Sequence, residues 1–148
     1  MNPYAQQSQA YKESAILTAS PEQLVVMLYD GAARFLRQAE AALQEQAWLH
    51  AGERITRGEA IIDELIATLN MDAGEISERL QGIYVFCKRC LIEARIQRDP
   101  AQVGHVIRLL GELREAWAQV ASGPAGVPAP GTAPRAAAPR PVSPGIRA

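Results

Sequence analysis

The sequence predicts an all-α fold: an antiparallel up-down-up-down four-helix bundle with a short N-terminal segment and a disordered C-terminal tail. Three observations carry that prediction. No proline occurs between Pro21 and Pro100. Apolar residues across that stretch recur at steps of three and four, the spacing of one helix face. No stretch sustains the period-two alternation of a half-buried strand.

The first helix opens at Ser20-Pro21-Glu22-Gln23. Ser20 is suited to cap, Pro21 fits the first helical position and Gln23 completes a capping box. Its apolar positions are Leu24, Leu28, Gly31 and Phe35, flanked by Val25, Ala32, Leu36, Ala39 and Leu43, and it ends near Gln44. The second helix begins near Trp48 without a capping signal. Its register is the most regular: Ala51, Ile55, Gly58, Ile62, Leu65, Leu69. Asn70 to Gly74 reads as a turn, with Asp72 and Glu75 as a second capping box. The third helix runs to about Arg98 through Ile76, Leu80, Ile83, Cys87, Cys90 and Ala94. Asp99-Pro100 repeats the cap-then-proline device, with Gln102 in the role of Gln23. The fourth helix carries Val103, Val106, Leu110, Leu113, Trp117 and Val120, and Ser122-Gly123-Pro124 stops it. Helices of about 22 to 26 residues span roughly 33 to 39 Å, and matched lengths with short joints make antiparallel neighbours.

Composition divides the chain of 148 residues in two. Residues 122–148 hold seven of the ten prolines, four of the eleven glycines, three arginines and no acid. Such a segment has too little apolar surface to offset its ordering entropy, so it is expected to be disordered. The other 121 residues carry 12 basic and 16 acidic groups, so the net charge of −1 conceals a body at −4. The expected division is a mobile segment over 1–19, the bundle over 20–121 and the tail over 122–148. An acidic body argues against nucleic acid as a partner. The longest uncharged stretch, Ala116 to Pro134, is broken by prolines and glycines and predicts no membrane insertion. No basic start or apolar run marks residues 1–20 as a signal peptide, and a cytoplasmic protein is expected.

Catalytic chemistry is not indicated. Cys87-Lys88-Arg89-Cys90 has C-x-x-C spacing, but both sulfurs fall in the apolar register of a helix, where they read as core. A redox pair would require a strand before the helix, and a metal site would require two further ligands. His50 and His105 form no close-spaced pair, and no nucleophile elbow or phosphate-binding loop is present. No enzyme and no cofactor are expected.

The informative anomaly lies on the outer faces. In the register of the third helix, Val85 and Ile92 point away from the bundle centre, and Ile96 continues the row. The matching outer positions of the second helix are Ala60 and Ala67. Two such faces make a shallow groove fit for an amphipathic helix. A segment of the same chain bearing Tyr4, Tyr11, Ile16 and Leu17 is another candidate occupant, too short for a full bundle helix. Ordinary scatter of exposed apolar residues is the bland alternative.

Several of these residues also resemble a known family. Thr18-Ala19-Ser20-Pro21-Glu22-Gln23-Leu24, followed by Met27-Leu28-Tyr29-Asp30-Gly31-Ala32, is similar to the opening of the flagellin export chaperones, the FliS family. Ala60 to Leu65, Thr68-Leu69, Gly74 to Ser77, Leu80, Ile83 to Phe86, Leu110, Leu113-Arg114 and Ala116-Trp117 continue the similarity, which runs from about Tyr11 to Ala121. The resemblance implies a bundle that holds the disordered C-terminal segment of flagellin in the cytoplasm, prevents premature polymerisation and delivers the client to the flagellar export gate. It also implicates the segment around Tyr11 to Ser20 in covering or shaping the partner site. On that reading Tyr11, Ile16 and Leu17 act as mobile anchors. Ser20 and Pro21 set the hinge, Val85, Ile92 and Ile96 form an apolar floor, and Ala60 and Ala67 permit close approach. The competing expectations are a structural or adaptor bundle that self-associates, its outer groove forming a homodimer, and a redox or metal protein built on Cys87 and Cys90.

Overall fold

The computed structural model describes residues 3–123, with side chains at residue 10 and from residue 12 onward. The expected disorder of the tail therefore concerns residues outside the described ones beyond Gly123. The order is α1 (Pro3–Thr18), α2 (Pro21–Gln44), α3 (Trp48–Ala67), a 3-10 turn (Met71–Ala73), α4 (Glu75–Gln97) and α5 (Pro100–Ala121). Helices α2 to α5 form the expected up-down-up-down bundle. The short N-terminal segment forms a 16-residue helix of its own, outside the four-helix layer.

The α2 start is as the residues dictate. Gln23 N–H donates to Ser20 Oγ at 3.1 Å, and Ser20 N–H donates to Gln23 Oε1 at 2.8 Å. At the α5 start Asp99 accepts from Ala101 N–H at 2.9 Å. Gln102 does not play the reciprocal part, because Asp99 N–H is already committed to Ala94 O at 3.2 Å. The second expected capping box is absent. Asp72 lies inside the 3-10 turn, and Gly74, at φ 85°, is the N-cap of α4. Ser77 Oγ instead ties α4 back to Asn70 O at 2.6 Å.

The joints after α2 and α4 lack glycine, and both turn through a left-handed residue, Gln46 at φ 61° and Arg98 at φ 54°. In each, the next N–H reaches back five residues, Ala47 to Ala42 O and Asp99 to Ala94 O. These bonds satisfy the helix-end carbonyls in the Schellman manner. Arg98 then lays its guanidinium 4.6 Å from the centroid of the Trp48 ring, closing this end of the bundle.

The core register of α3 is as expected, with Ala51, Ile55, Gly58, Ile62 and Leu65 buried. In α2 the buried row is Val25, Tyr29, Ala32, Leu36, Ala39 and Leu43, one position round from Leu24, Leu28 and Phe35. In α4, Tyr84 and Leu91 are buried, and Ile76 and Ile83 only pack against the core edge. Two tyrosines thus take positions that hydropathy alone assigns to leucine and isoleucine. The small residues of α2 bring it close to both α3 and α5, while α4 packs more loosely across the diagonal. Gly58 of α3 is one such close approach: a Cβ there would meet Leu36 Cδ2 at 2.6 Å.

Candidate partner-binding surfaces

The outer valley between α3 and α4 is positioned by ion pairs. Lys88 bridges to Asp63, and Arg95 Nη2 bridges to Glu59 at 2.9 Å. Arg95 also donates to Gly52 O at 3.1 Å and to Thr56 Oγ1 at 3.2 Å. These contacts set the antiparallel register, so Ala67 lies about level with Val85 and Ala60 about level with Ile92. Val85 is 42% exposed, Ile92 48% and Ile96 70%. Ala60 and Ala67 are exposed as well. The apolar row and its small-residue neighbours therefore share one side of the bundle.

The valley is not purely apolar. Ile92 lies on α4 between Lys88 and Arg95, whose stems cross towards α3 and cover part of the surface. Exposed ion pairs of this kind contribute about 0 to 1 kcal/mol each, so an incoming helix can displace them at small cost.

The end of α1 does not line this valley. Tyr11 is in α1, and its side chain lies outside the described residues. Ala15 and Thr18, near the end of α1, line an open cleft of about 500 Å³ with Gln23, Val26 and Met27 of α2 and Ala118 of α5. Ile16 is exposed and Leu17 is 85% exposed. Ser20 and Pro21 hold the two-residue joint between α1 and α2 as cap and first helical residue. The α2–α5 side is opposite the α3–α4 side in a square bundle. Ala60, Ala67, Val85, Ile92 and Ile96 thus lie on one face of the bundle, and the end of α1 borders the opposite one.

A third surface was not anticipated. Phe86 is 54% exposed and lines an open depression of about 450 Å³ with Cys90, Leu109, His105, Arg108 and Glu112 between α4 and α5. The signal was available: a phenylalanine one residue after the outward Val85 also faces out.

The thiols are inert in character. Cys87 and Cys90 are free and buried. Burial pushes the Cys87 thiol up to about 12, with Cys90 adding to the effect. Burial also raises Cys90, helped by Glu93. A thiol held protonated is a poor nucleophile. Among the described residues no group of three His, Cys, Asp or Glu is placed to hold a metal ion. His105 is instead paired through Nδ1 with Arg108 at 2.9 Å.

A closed helical core of four packed helices, with apolar side chains left on its outer faces, places the chain among the all-α bundle proteins. Comparison with known proteins gives that class its particular family. The family model "Flagellar protein FliS" matches residues 4–124, and the chain belongs to the FliS family. It is 37% identical to the flagellar secretion chaperone FliS of Salmonella typhimurium over 115 residues, covering 76% of this chain and 85% of the relative. It is 35% identical to that of Vibrio cholerae over 117 residues, covering 76% and 86%. It is 32% identical to that of Bacillus subtilis over 118 residues, covering 80% and 85%. This is a family of chaperones, not of enzymes. Among the described residues no helix is long and apolar enough to cross a membrane.

Proposed function

We propose that this protein is a cytosolic flagellar export chaperone whose client is the disordered C-terminal segment of flagellin. The client folds as an amphipathic helix along the α3–α4 valley, is kept from polymerising and is presented to the flagellar export gate. The observation that carries this reading is the exposed row Val85, Ile92 and Ile96 beside Ala60 and Ala67. A self-sufficient bundle has no need of apolar side chains there. The FliS relatives, named flagellar secretion chaperones, support the same reading.

The mechanism is coupled folding and binding. Burial of the client's apolar face contributes about 25 cal/mol per Å², less the cost of ordering the segment and immobilising side chains. The small side chains of Ala60 and Ala67 let the client backbone approach α3. Ile92 supplies the central contact once Lys88 and Arg95 swing aside. No nucleotide enters this scheme.

Co-purification with full-length flagellin and with flagellin lacking its C-terminal segment tests the proposal. Capture of the full-length protein alone is the expected result. Equal capture of both, or of neither, overturns it. Capture of neither with concentration-dependent mass would favour a self-associating bundle.

A further inference from the structure

Charge is segregated along the bundle axis. With each helix of the bundle cut at its midpoint, residues 21–32, 58–86 and 111–123 occupy one half and 33–57 and 87–110 the other. The first half holds ten acids against two bases, Arg79 and Arg114. The second holds five acids against nine bases. The net charges are therefore −8 and +4.

The acidic half is also where α5 ends and the chain leaves the bundle. The last turn of α5, through Ala118 and Ala121, forms one wall of the open cleft shared with the end of α1 and with Val26 and Met27. Asp30 is on its rim, where it is already paired with Arg114 at 2.9 Å. Nearby in sequence, Glu22 occupies the core register of α2 and is nine-tenths buried, with no ion pair among the described residues. Beyond Gly123 follow 25 residues bearing Arg135, Arg140 and Arg147 and no acid, with Val142 and Ile146 as apolar side chains.

We propose that residues 124–148 fold back onto this acidic end and occupy the cleft between α1, α2 and α5, with their arginines supplying the counter-charge. Reach favours this end. A twelve-residue tether, from Gly123 to Arg135, has an average span of about 20 Å as a flexible chain. The basic end lies about 33 Å away along the 22 residues of α5. A short tether also keeps the local concentration of the segment in the millimolar range, so weak contacts suffice. The proposal does not depend on the identity of the client.

Paramagnetic broadening in the full chain tests it. Cys87 is fully buried, so in a Cys90→Ala background a nitroxide attached to the Ser143→Cys variant reports on the tail. Several-fold loss of amide signal at Met27 and Ala118, with Trp48 and His50 unaffected, is the expected result. The loss should be relieved by Arg135→Ala/Arg140→Ala/Arg147→Ala, and by about 0.5 M salt, where the screening length falls to roughly 4 Å. Equal broadening at both ends, no broadening, or broadening that survives loss of the arginines overturns the proposal. Broadening that persists when labelled chains are mixed with separate isotope-enriched chains assigns the cleft to a second copy, which also overturns it.

Discussion

The hydroxyls of Tyr29 and Tyr84 hydrogen-bond each other inside the bundle, joining α2 to α4 across 55 positions of the chain. Their ring centroids are 6.4 Å apart and their planes tilted by 46°. The indole N–H of Trp117, buried beside Tyr29, makes no hydrogen bond of good geometry. The tyrosine pair is thus a polar contact between the two helices that face each other diagonally. Tyr84→Phe should strand the Tyr29 hydroxyl and cost about 1 to 3 kcal/mol in urea denaturation. Adding Tyr29→Phe should cost much less than a second loss of that size, because neither hydroxyl is then left unpaired. A double-mutant cycle with purely additive losses would show that the hydroxyls do not support each other.

The same buried groups predict alkaline instability. Burial pushes Tyr84 and Cys87 each up to about 12, and burial and Tyr84 raise Tyr29 further. All three are neutral when protonated. The unfolded chain releases these protons from about pH 9 to 10, while the folded chain holds them to about pH 12. Their stabilising contribution is therefore complete below pH 9 and is lost as pH rises towards 12. Melting temperature should fall steadily from pH 8 to 11. Cys87→Ala should start lower at pH 8 yet lose less over that interval. Parallel losses in both proteins would show that the thiol is not part of the effect.

Two glycines should respond in opposite directions. Gly58→Ala places a methyl group against Leu36, which is fully buried and cannot retreat to solvent. Overpacking costs about 1 to 3 kcal/mol and outweighs the gain in helix propensity. Gly82, in α4, faces open space: a Cβ added there would have nothing within 4 Å. Gly82→Ala should therefore stabilise by about 0.5 to 1 kcal/mol. Thermal melts of the two variants settle the sign of each.

Adjacent residues of α4 should separate binding from folding. Ile92→Asp alters an exposed side chain and should leave the helical spectrum and melting temperature nearly unchanged, while abolishing capture of flagellin. Leu91→Asp puts a charge at a fully buried position and should unfold the bundle. If Ile92→Asp folds and still binds its client, the site is not the α3–α4 valley.

The legibility of the fold followed the range of the interactions involved. The α3 stripe from Ala51 to Leu65 was readable because five apolar or small residues repeat at one period. The α4 stripe was less so. Hydropathy favours Ile83 over Tyr84, but the hydrogen bond to Tyr29 offsets the burial of the tyrosine hydroxyl. No local pattern reveals a partner 55 residues away. The joints at Gln46 and Arg98 were unsignalled for a different reason: each puts an ordinary side chain where glycine is the usual marker. Of the candidate surface, the exposure of Val85, Ile92 and Ile96 followed from helix periodicity. Their separation from α1 did not.

The starts at Ser20-Pro21 and Asp99-Pro100, the four bundle helices and the outward row on α4 were determined by the sequence alone. These features depend on bonds within a turn of chain or on a single repeat, so they can be read locally. The tertiary structure alone decided that Tyr29 and Tyr84 take the core positions of α2 and α4 that Leu28 and Ile83 were expected to fill. It also placed the end of α1 against α2 and α5, across the core from Ile92. Both outcomes depend on helix packing and on contacts between residues distant in the chain, which local sequence does not encode.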